Sequence, residues 1–284
     1  MLHIHRAERA DGLIAALAAV VGAPLDDPFA TEIVAVPTRG VERWVAQQLA
    51  TSLGATPARS DGVCANVEFA FPPRLLGGAV ASAAGIDADL DPWLPERAVW
   101  PLIDIVDKSM AEPPIAPLAA YLGATGSEPR PSRRFESIRH IAELYDRYGL
   151  HRPEMLCAWA AGDDVDAGGA PLVGAVEWQA ALWRRLRDQV GVPSPAERLL
   201  GACERLRADP VVVHLPARLS IFGLTRLPAS HVQILSALAA HRDVHLFLLH
   251  PSAALWSKVA EGTAQRSRIV RRRDDVTATL PENP

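Results

Sequence analysis

Strand-like and helix-like segments alternate at both ends of this chain, and the middle contains helical segments only. The opening LHIHR alternates as a short strand does, and the apolar run from Ala10 to Val21 favours a helix. Further strands are predicted at residues 33–36 and 65–71, each followed by a helix, of which the first should end at Gly54. Such alternation predicts an α/β fold with an open, mostly parallel sheet.

From Asp91 to Asp209 the helical period replaces this alternation, as in RAVWPLIDIVDKSM and EWQAALWRRLRDQVG. The clearest boundary is at Ser194, a good N-cap that is followed by Pro195 and then by Glu197. We therefore expect an all-helical insertion that interrupts the sheet.

The last part of the chain returns to the order strand, helix, strand, with strands at residues 219–222 and 244–249 around a helix at 229–240. This is one βαβ crossover, predicted to be right-handed. The predicted domains are residues 1–88 (α/β, first part), 89–212 (helical insertion) and 213–284 (return to α/β). The chain stops at LPENP without a closing element, so we expect a truncated chain or gene fragment.

Composition limits the class of protein. Hydrophobic residues make up 49% and charged residues 22%, which is typical of a folded globular chain, and the apolar runs are too short to cross a bilayer. We expect a cytoplasmic protein without a membrane segment. Cys64, Cys157 and Cys203 lack the spacing of a disulfide framework or zinc site. The net charge of −4 means that nucleic-acid binding requires local basic patches.

The phosphate loop of a nucleotide-driven motor is missing from the sequence. The pattern GxxxxGK[ST] needs a lysine after a glycine, and neither Lys108 nor Lys258 follows one. The patterns GxSxG, HExxH and GxGxxG are absent too, and the acidic stretch AAGDDVDAGG lacks the pattern of a metal nuclease. We expect no catalytic residues, no metal site and no cofactor in this chain.

The turn VPTRGVERW lies where a strand leads into a helix, and such a helix start attracts anions. Arg39 and Arg43 add charge there, so one interpretation is a contact with phosphate or a DNA backbone. The alternative is an ordinary turn, with Gly40 at a tight backbone position and two solvated arginines. We expect Trp44 to pack in the core rather than to stack on a base.

Two further basic segments also have two interpretations. In the helix RRFESIRHIAELYDRYGL, Arg134 and Arg139 either contact phosphate or pair with carboxylates at helical spacing, and pairing is favoured. The run RIVRRRDD at residues 268–275 either binds DNA or is a solvated loop.

Several segments together carry a resemblance to a known family. These are LHIHRAERADGLIAALA, LDDPFATEIVAVPTRGVERWVAQQLA, CANVEFAFPPRLL, IAELYDRYGLHRPEML and SIFGLTRLPASHVQILSALAAHRDVHLFLLHPS. In order and spacing they resemble the N-terminal quarter of the RecC family, the gamma chain of exodeoxyribonuclease V. The resemblance implies a degenerate superfamily 1 helicase-like (P-loop NTPase-like) domain whose ATP site has decayed.

The resemblance also implies partners and a site. RecC joins RecB and RecD, which hold the ATP and magnesium sites, and the complex acts on forked duplex and single-stranded DNA at double-strand breaks. RecC guides the 3′ strand and scans it for the Chi sequence. Its strand tunnel implies two groups of DNA-binding residues here: Arg39, Arg43 and Phe71, with Pro37 beside them, and Leu144, Asp146 and Arg152. Enterobacterial relatives have uncharged residues at the first group, so Arg39 and Arg43 offer different hydrogen-bonding groups to bases.

These observations favour a non-catalytic DNA-binding and assembly subunit of a RecBCD-like complex. The alternative is a free-standing α/β enzyme that binds a nucleotide or sugar nucleotide. That alternative predicts a ligand-sized pocket near Gly40.

Overall fold

The computed structural model describes residues 1–27, 29–56, 62–122, 131–250 and 252–266. These residues form two compact units, each built from separated stretches of chain. The sheet unit contains His3–Phe69, Arg218–Thr225 and the described residues from His245 onward. The helical unit contains Met1–Leu2, Ala70–Ala217 and Arg226–Val244. The ranges 1–88, 89–212 and 213–284 remain a prediction.

The predicted open parallel α/β sheet is confirmed. Its strands are β1 (Leu2–Ala7), β2 (Glu32–Ala35), β3 (Val67–Ala70), β4 (Arg218–Phe222) and β5 (Asp243–Leu249). All are parallel, in the order β1-β5-β4-β2-β3. In the register of β2 with β4, Val34 lies opposite Ser220. All four residues of β2 are buried, which suits an internal strand of β-branched and apolar residues.

Three of the described helices belong to the sheet unit: α1 (Ala10–Gly22), α2 (Arg39–Leu49) and α11 (Ala253–Arg266). Its core joins α1 to the strands through Leu13, Leu17, Val34 and Phe247.

The predicted end of α2 at Gly54 is wrong, because the helix ends at Leu49. The hydroxyl of Thr51 donates to the carbonyl of Gln48 at 2.7 Å, and Ser52 donates to that of Leu49 at 3.3 Å. These side chains satisfy the last helical carbonyls locally, and so they favour a turn over further helix. Gly54 has a φ of +74° and lies in that turn.

The helical unit contains eight of the described helices. They are α3 (Pro72–Ala83), α4 (Pro95–Ser109), α5 (Ala116–Tyr121), α6 (Pro131–His151), α7 (Pro153–Ala161), α8 (Trp178–Val190), α9 (Pro195–Ala208) and α10 (Ala229–Leu238). Among the described residues no strand lies between β3 and β4, as the helical spacing predicts. The core of this unit contains three tryptophans, Trp93, Trp159 and Trp183.

Local chemistry explains two helix starts in this unit. Ser194 and Glu197 form the predicted capping box at α9, in which each side chain bonds the backbone N–H of the other residue. Pro72 and Pro73 occupy the first turn of α3, where a missing N–H costs nothing. None of the described helices combines the length and hydropathy needed to span a bilayer.

Candidate nucleic-acid interface

The turn between β2 and α2 leaves backbone N–H groups without helical acceptors. Thr38 is the N-cap of α2, and its Oγ1 accepts a hydrogen bond from the Val41 N–H at 3.2 Å. The Glu42 N–H bonds the Thr38 carbonyl at 3.0 Å, which begins the helical ladder. The N–H groups of Arg39 and Gly40 precede this bond, so they have no acceptor within the helix. Together with the helix dipole they favour an anion at this end of α2.

Arg39 and Arg43 are both exposed and lie four residues apart, on one face of α2. Among the described residues neither guanidinium has a hydrogen-bond or ion-pair partner. We call these two residues the α2 arginine pair. Their charge is therefore available to a ligand in solution.

Two neighbours of this pair, Trp44 and Gly40, were also the subject of predictions. Trp44 is partly buried, with its ring centre 6.1 Å from that of Phe222, as expected for a core-packed residue. The interpretation of Gly40 as a tight backbone position is wrong. A Cβ atom at Gly40 would meet Thr38 Oγ1 at 3.7 Å, an ordinary contact, and its φ is not positive.

The structure divides the predicted DNA-binding residues between the units. Arg39 and Arg43 belong to the sheet unit, and Phe71, Leu144, Asp146 and Arg152 belong to the helical unit. Phe71 is 38% exposed just before α3, and the Arg152 guanidinium lies 5.4 Å from the centre of the Tyr148 ring.

Leu144 and Asp146 do not share a face of α6. Residues two apart on an α-helix point about 200° apart around its axis. Asp146 accordingly lines a cavity that Leu144 does not line, and neither Phe71 nor Arg152 lines it. The predicted group in the helical unit is therefore not brought together around Asp146.

The cavity beside Asp146 lies within the helical unit and has a volume of about 430 Å³. It is bounded by α3, the start of α4, α6, and the first turns of α9 and α10. Gly40 does not line it, so it is not the pocket that the nucleotide-enzyme alternative predicts. Its polar side chains include Asp89, Glu96, Asp146 and His231.

The protein environment shifts the pKa of two cavity residues. Asp146 keeps accessible surface, yet the surrounding protein removes enough hydration to raise its pKa, and the charge of Glu96 adds to this effect. His231 is 5% exposed, and burial, assisted by His151, lowers its pKa to about 4. At neutral pH His231 is therefore an uncharged imidazole.

Four other charged residues of the helical unit have protein partners. Arg139 pairs with Glu143 at 3.5 Å, as the helical spacing predicts, and Arg134 pairs with Asp107. In the acidic loop Asp164 pairs with Arg184, and Asp166 accepts two backbone hydrogen bonds. The basic run at residues 268–275 lies outside the described residues.

Sequence reasoning missed Glu96 and His231. A signal for His231 exists, because it shares the apolar stripe of α10 with Ile234, Leu235 and Leu238, where a polar residue is unusual. Nothing in the sequence marks Glu96, since its place opposite Asp146 depends on how α4 and α6 pack.

Fold and site together define the class of protein. It is an α/β protein whose parallel sheet is interrupted by a helical insertion, with an exposed arginine pair on the helix after β2. The chain belongs to the RecC family, because the family model described as "RecC, N-terminal domain" matches residues 2–283.

Relatives support the same assignment. The chain is 42% identical to the RecBCD enzyme subunit RecC of Mycobacterium tuberculosis H37Rv, over 100% of this chain and 25% of that protein. It is 41% identical to that of Mycolicibacterium smegmatis, over 96% of this chain and 23% of the relative. It is 26% identical to the RecBCD enzyme subunit RecC of Escherichia coli K12, over 96% of this chain and 24% of that protein. The chain thus spans about a quarter of the length of these relatives.

Proposed function

We propose that this chain is a non-catalytic, DNA-contacting part of a RecBCD-type helicase–nuclease that acts in double-strand break repair by homologous recombination. The observation that carries the proposal is the α2 arginine pair, exposed and without a protein partner among the described residues, beside the free N–H groups of the helix start. Arginines in this arrangement bind backbone phosphate without reading sequence. The relatives carry the name "RecBCD enzyme subunit RecC", which supports RecB-like and RecD-like partners. A cytoplasmic location is part of the proposal.

The sheet is proposed to descend from a superfamily 1 motor that has lost its ATP site. The turn after β2 offers no lysine for the terminal phosphates, and the Thr38 hydroxyl, the group that a magnesium ion would need, accepts a hydrogen bond from Val41. These residues do not fit an ATP–magnesium site. ATP and magnesium are therefore assigned to the partner subunits, and this chain is assigned no active site.

The 3′ strand is proposed to pass this chain and to be scanned for a Chi-like signal. Phe71 and Arg152, with an exposed aromatic ring and an exposed guanidinium, suit contact with bases and phosphates. Leu144 and Asp146 complete the set that family resemblance implies, although they face different sides of α6.

Replacing Arg39 and Arg43 together by Ala tests the proposal. Because each phosphate contact releases counterions, log K for a fluorescein-labelled dT20 should fall less steeply with log salt, by roughly 1.4 in slope for two lost contacts. Fluorescence anisotropy between low and moderate salt measures this, first on the 284-residue chain and then on the assembled complex.

The matched control replaces Arg6 and Arg9 by Ala, which removes the same charge from the same unit. Both are exposed, and Arg9 already pairs with Asp11. An equal loss of slope in both double variants means that only overall charge matters, and an unchanged slope removes the α2 arginine pair from the DNA contact. Magnesium-dependent ATP binding by the chain would instead support the nucleotide-enzyme alternative.

A further inference from the structure

The cavity of the helical unit has the size and shape of a ligand site. Its volume of about 430 Å³ is within the usual range for small-molecule sites. Small residues keep one side open, among them Gly77, Gly78 and Gly149, and a Cβ atom at Gly77 would meet nothing within 4 Å. Leu94, Leu150 and Ile234 make other parts of the wall apolar. The cavity therefore suits a ligand with an apolar body.

Two of the four carboxylates that line the cavity form no ion pair among the described residues. Asp89 pairs with Arg74 at 2.7 Å, and Asp91 pairs with Arg198 at 2.5 Å. Glu96 and Asp146 have no hydrogen bond or ion pair with any residue that the structure describes. Their charges interact: after burial, Glu96 is the next cause that raises the pKa of Asp146, and the Arg147 guanidinium lowers it. Both side chains keep solvent contact, and a cation bound between the two like charges would relieve their repulsion.

Two buried polar side chains that line the cavity have no hydrogen-bond partner among the described residues. His231 is 5% exposed and lines the cavity, and its imidazole has no hydrogen bond within the described part of the chain. Trp183 is fully buried, also lines the cavity, and its indole N–H is likewise without an acceptor there. The Trp183 N–H is enclosed, so a ligand in the cavity does not reach it, whereas the unpaired imidazole of His231 indicates a missing polar partner in the cavity. The neutral His231 ring offers one nitrogen as an acceptor for a donor on a ligand.

We propose that this cavity binds an organic cation, a guanidinium or alkylammonium group on an apolar stem, with Glu96 and Asp146 as its counter-charges and His231 as a hydrogen-bond acceptor. The cation is either free, as in a polyamine or arginine-like metabolite, or a lysine or arginine side chain of a protein segment. Phosphate is disfavoured, because the two unpaired carboxylates repel it. This inference goes beyond the proposed DNA contact: it shares Asp146 with the proposed strand-contacting set and does not rest on the α2 arginine pair.

The test uses agmatine, which has a guanidinium and an ammonium on a four-carbon stem, and isothermal titration of the 284-residue chain. Glu96→Gln and Asp146→Asn keep shape and remove charge, and each should weaken agmatine binding about tenfold or more. Glu143→Gln is the control, because Glu143 is on α6, pairs with Arg139 and does not line the cavity. It should change affinity by less than about twofold. The imidazole NMR signals of His231 should shift on binding, and those of exposed His140 should not.

Further titrations distinguish a free cation from a protein side chain and test DNA as a rival occupant of the cavity. Spermidine and a blocked Ala-Arg-Ala tripeptide are titrated in parallel: tighter binding of spermidine assigns a free amine, and tighter binding of the tripeptide assigns a protein side chain. Thermal melts establish whether each variant is folded. If Asp146→Asn is unfolded, the test relies on Glu96→Gln, which is at an exposed position. The proposal is overturned if none of the cations binds, if the charge-removing variants bind as the parent does, or if dT20 displaces agmatine competitively.

Discussion

Among the described residues, each unit contains one largely buried arginine–carboxylate pair, and the two pairs differ in how completely they are hydrogen bonded. In the sheet unit Arg218 holds Glu32 with two nitrogens and also donates to the Ala23 carbonyl at 2.7 Å. In the helical unit Arg198 holds Asp91 at 2.5 Å, but its Nε and one terminal nitrogen are buried without a partner in the described structure. The two side chains of the first pair are 11% exposed, and those of the second 6% and 8%.

This difference reflects how many hydrogen-bond acceptors each core offers to buried N–H groups. The sheet unit packs aliphatic and phenylalanine side chains, and its ion pair spans the start of β2 and β4 where backbone carbonyls are near. The helical unit packs tryptophans, whose N–H groups compete for few acceptors because helical carbonyls are already used. Trp93 and Trp159 reach loop carbonyls, and Trp183 reaches none in the described residues. The helical unit therefore carries more unsatisfied polar groups.

The largest expected effect comes from removing one carboxylate of each pair. Asp91→Ala leaves Arg198 buried without a counter-charge and should lower the free energy of unfolding by about 3–5 kcal/mol. Glu32→Ala should cost about 1–3 kcal/mol, because Arg218 keeps a carbonyl partner and some solvent. Urea denaturation of both variants measures the difference. Equal losses would mean that the extra hydrogen bond of Arg218 has no energetic weight.

The next effect is a pH dependence located in the helical unit. The pKa of His231 is about 4 in the folded chain, below the ordinary histidine value of 6.5. Above pH 6.5 the stability is unaffected by this group. As the pH falls from 6.5 towards 4, the unfolded chain binds a proton that the folded chain does not, so stability falls by up to about 3 kcal/mol.

His231→Gln should remove this part of the pH dependence, and His140→Gln, at an exposed position of α6, should retain it. Denaturation midpoints at several pH values between 4 and 7 provide the measurement. Identical slopes in the parent and His231→Gln would contradict a buried, neutral His231.

The smallest effect compares two fully buried tryptophans. Trp159→Phe removes a hydrogen bond to the Val165 carbonyl at 2.8 Å, whereas Trp183→Phe removes an N–H that has no acceptor in the described structure. Trp159→Phe should therefore cost about 1 kcal/mol more. Thermal or urea unfolding of the two variants checks the order. A larger loss for Trp183→Phe would indicate that its N–H has a partner after all.

The sequence predicted the features that depend on neighbouring residues. The strands follow from apolar runs, and the α9 start follows from Ser194 and Glu197, which are three residues apart. The predicted end of α2 was wrong because Thr51 and Ser52 make local hydrogen bonds that no hydrophobic period reveals.

The cavity was not predictable from the sequence, since Glu96 and His231 lie on α4 and α10, and only packing brings them to the cavity that Asp146 lines. The α2 arginine pair was found from the sequence because β2, its turn and α2 are contiguous, and its DNA contact stays a prediction.

The order of strands has a consequence for synthesis on the ribosome. β2 and β3 are neighbours made early, but β1 pairs only with β5, and β4 must enter between β5 and β2. Glu32 and Arg218, which join β2 to β4, are 186 residues apart. At about 5–20 residues per second, roughly 10–40 s pass between them. During that interval β1 and one edge of β2 lack their final neighbours, which exposes them to pairing with other chains. The nascent helical insertion has time to collapse first, so the sheet is finished last although its first strand emerges first.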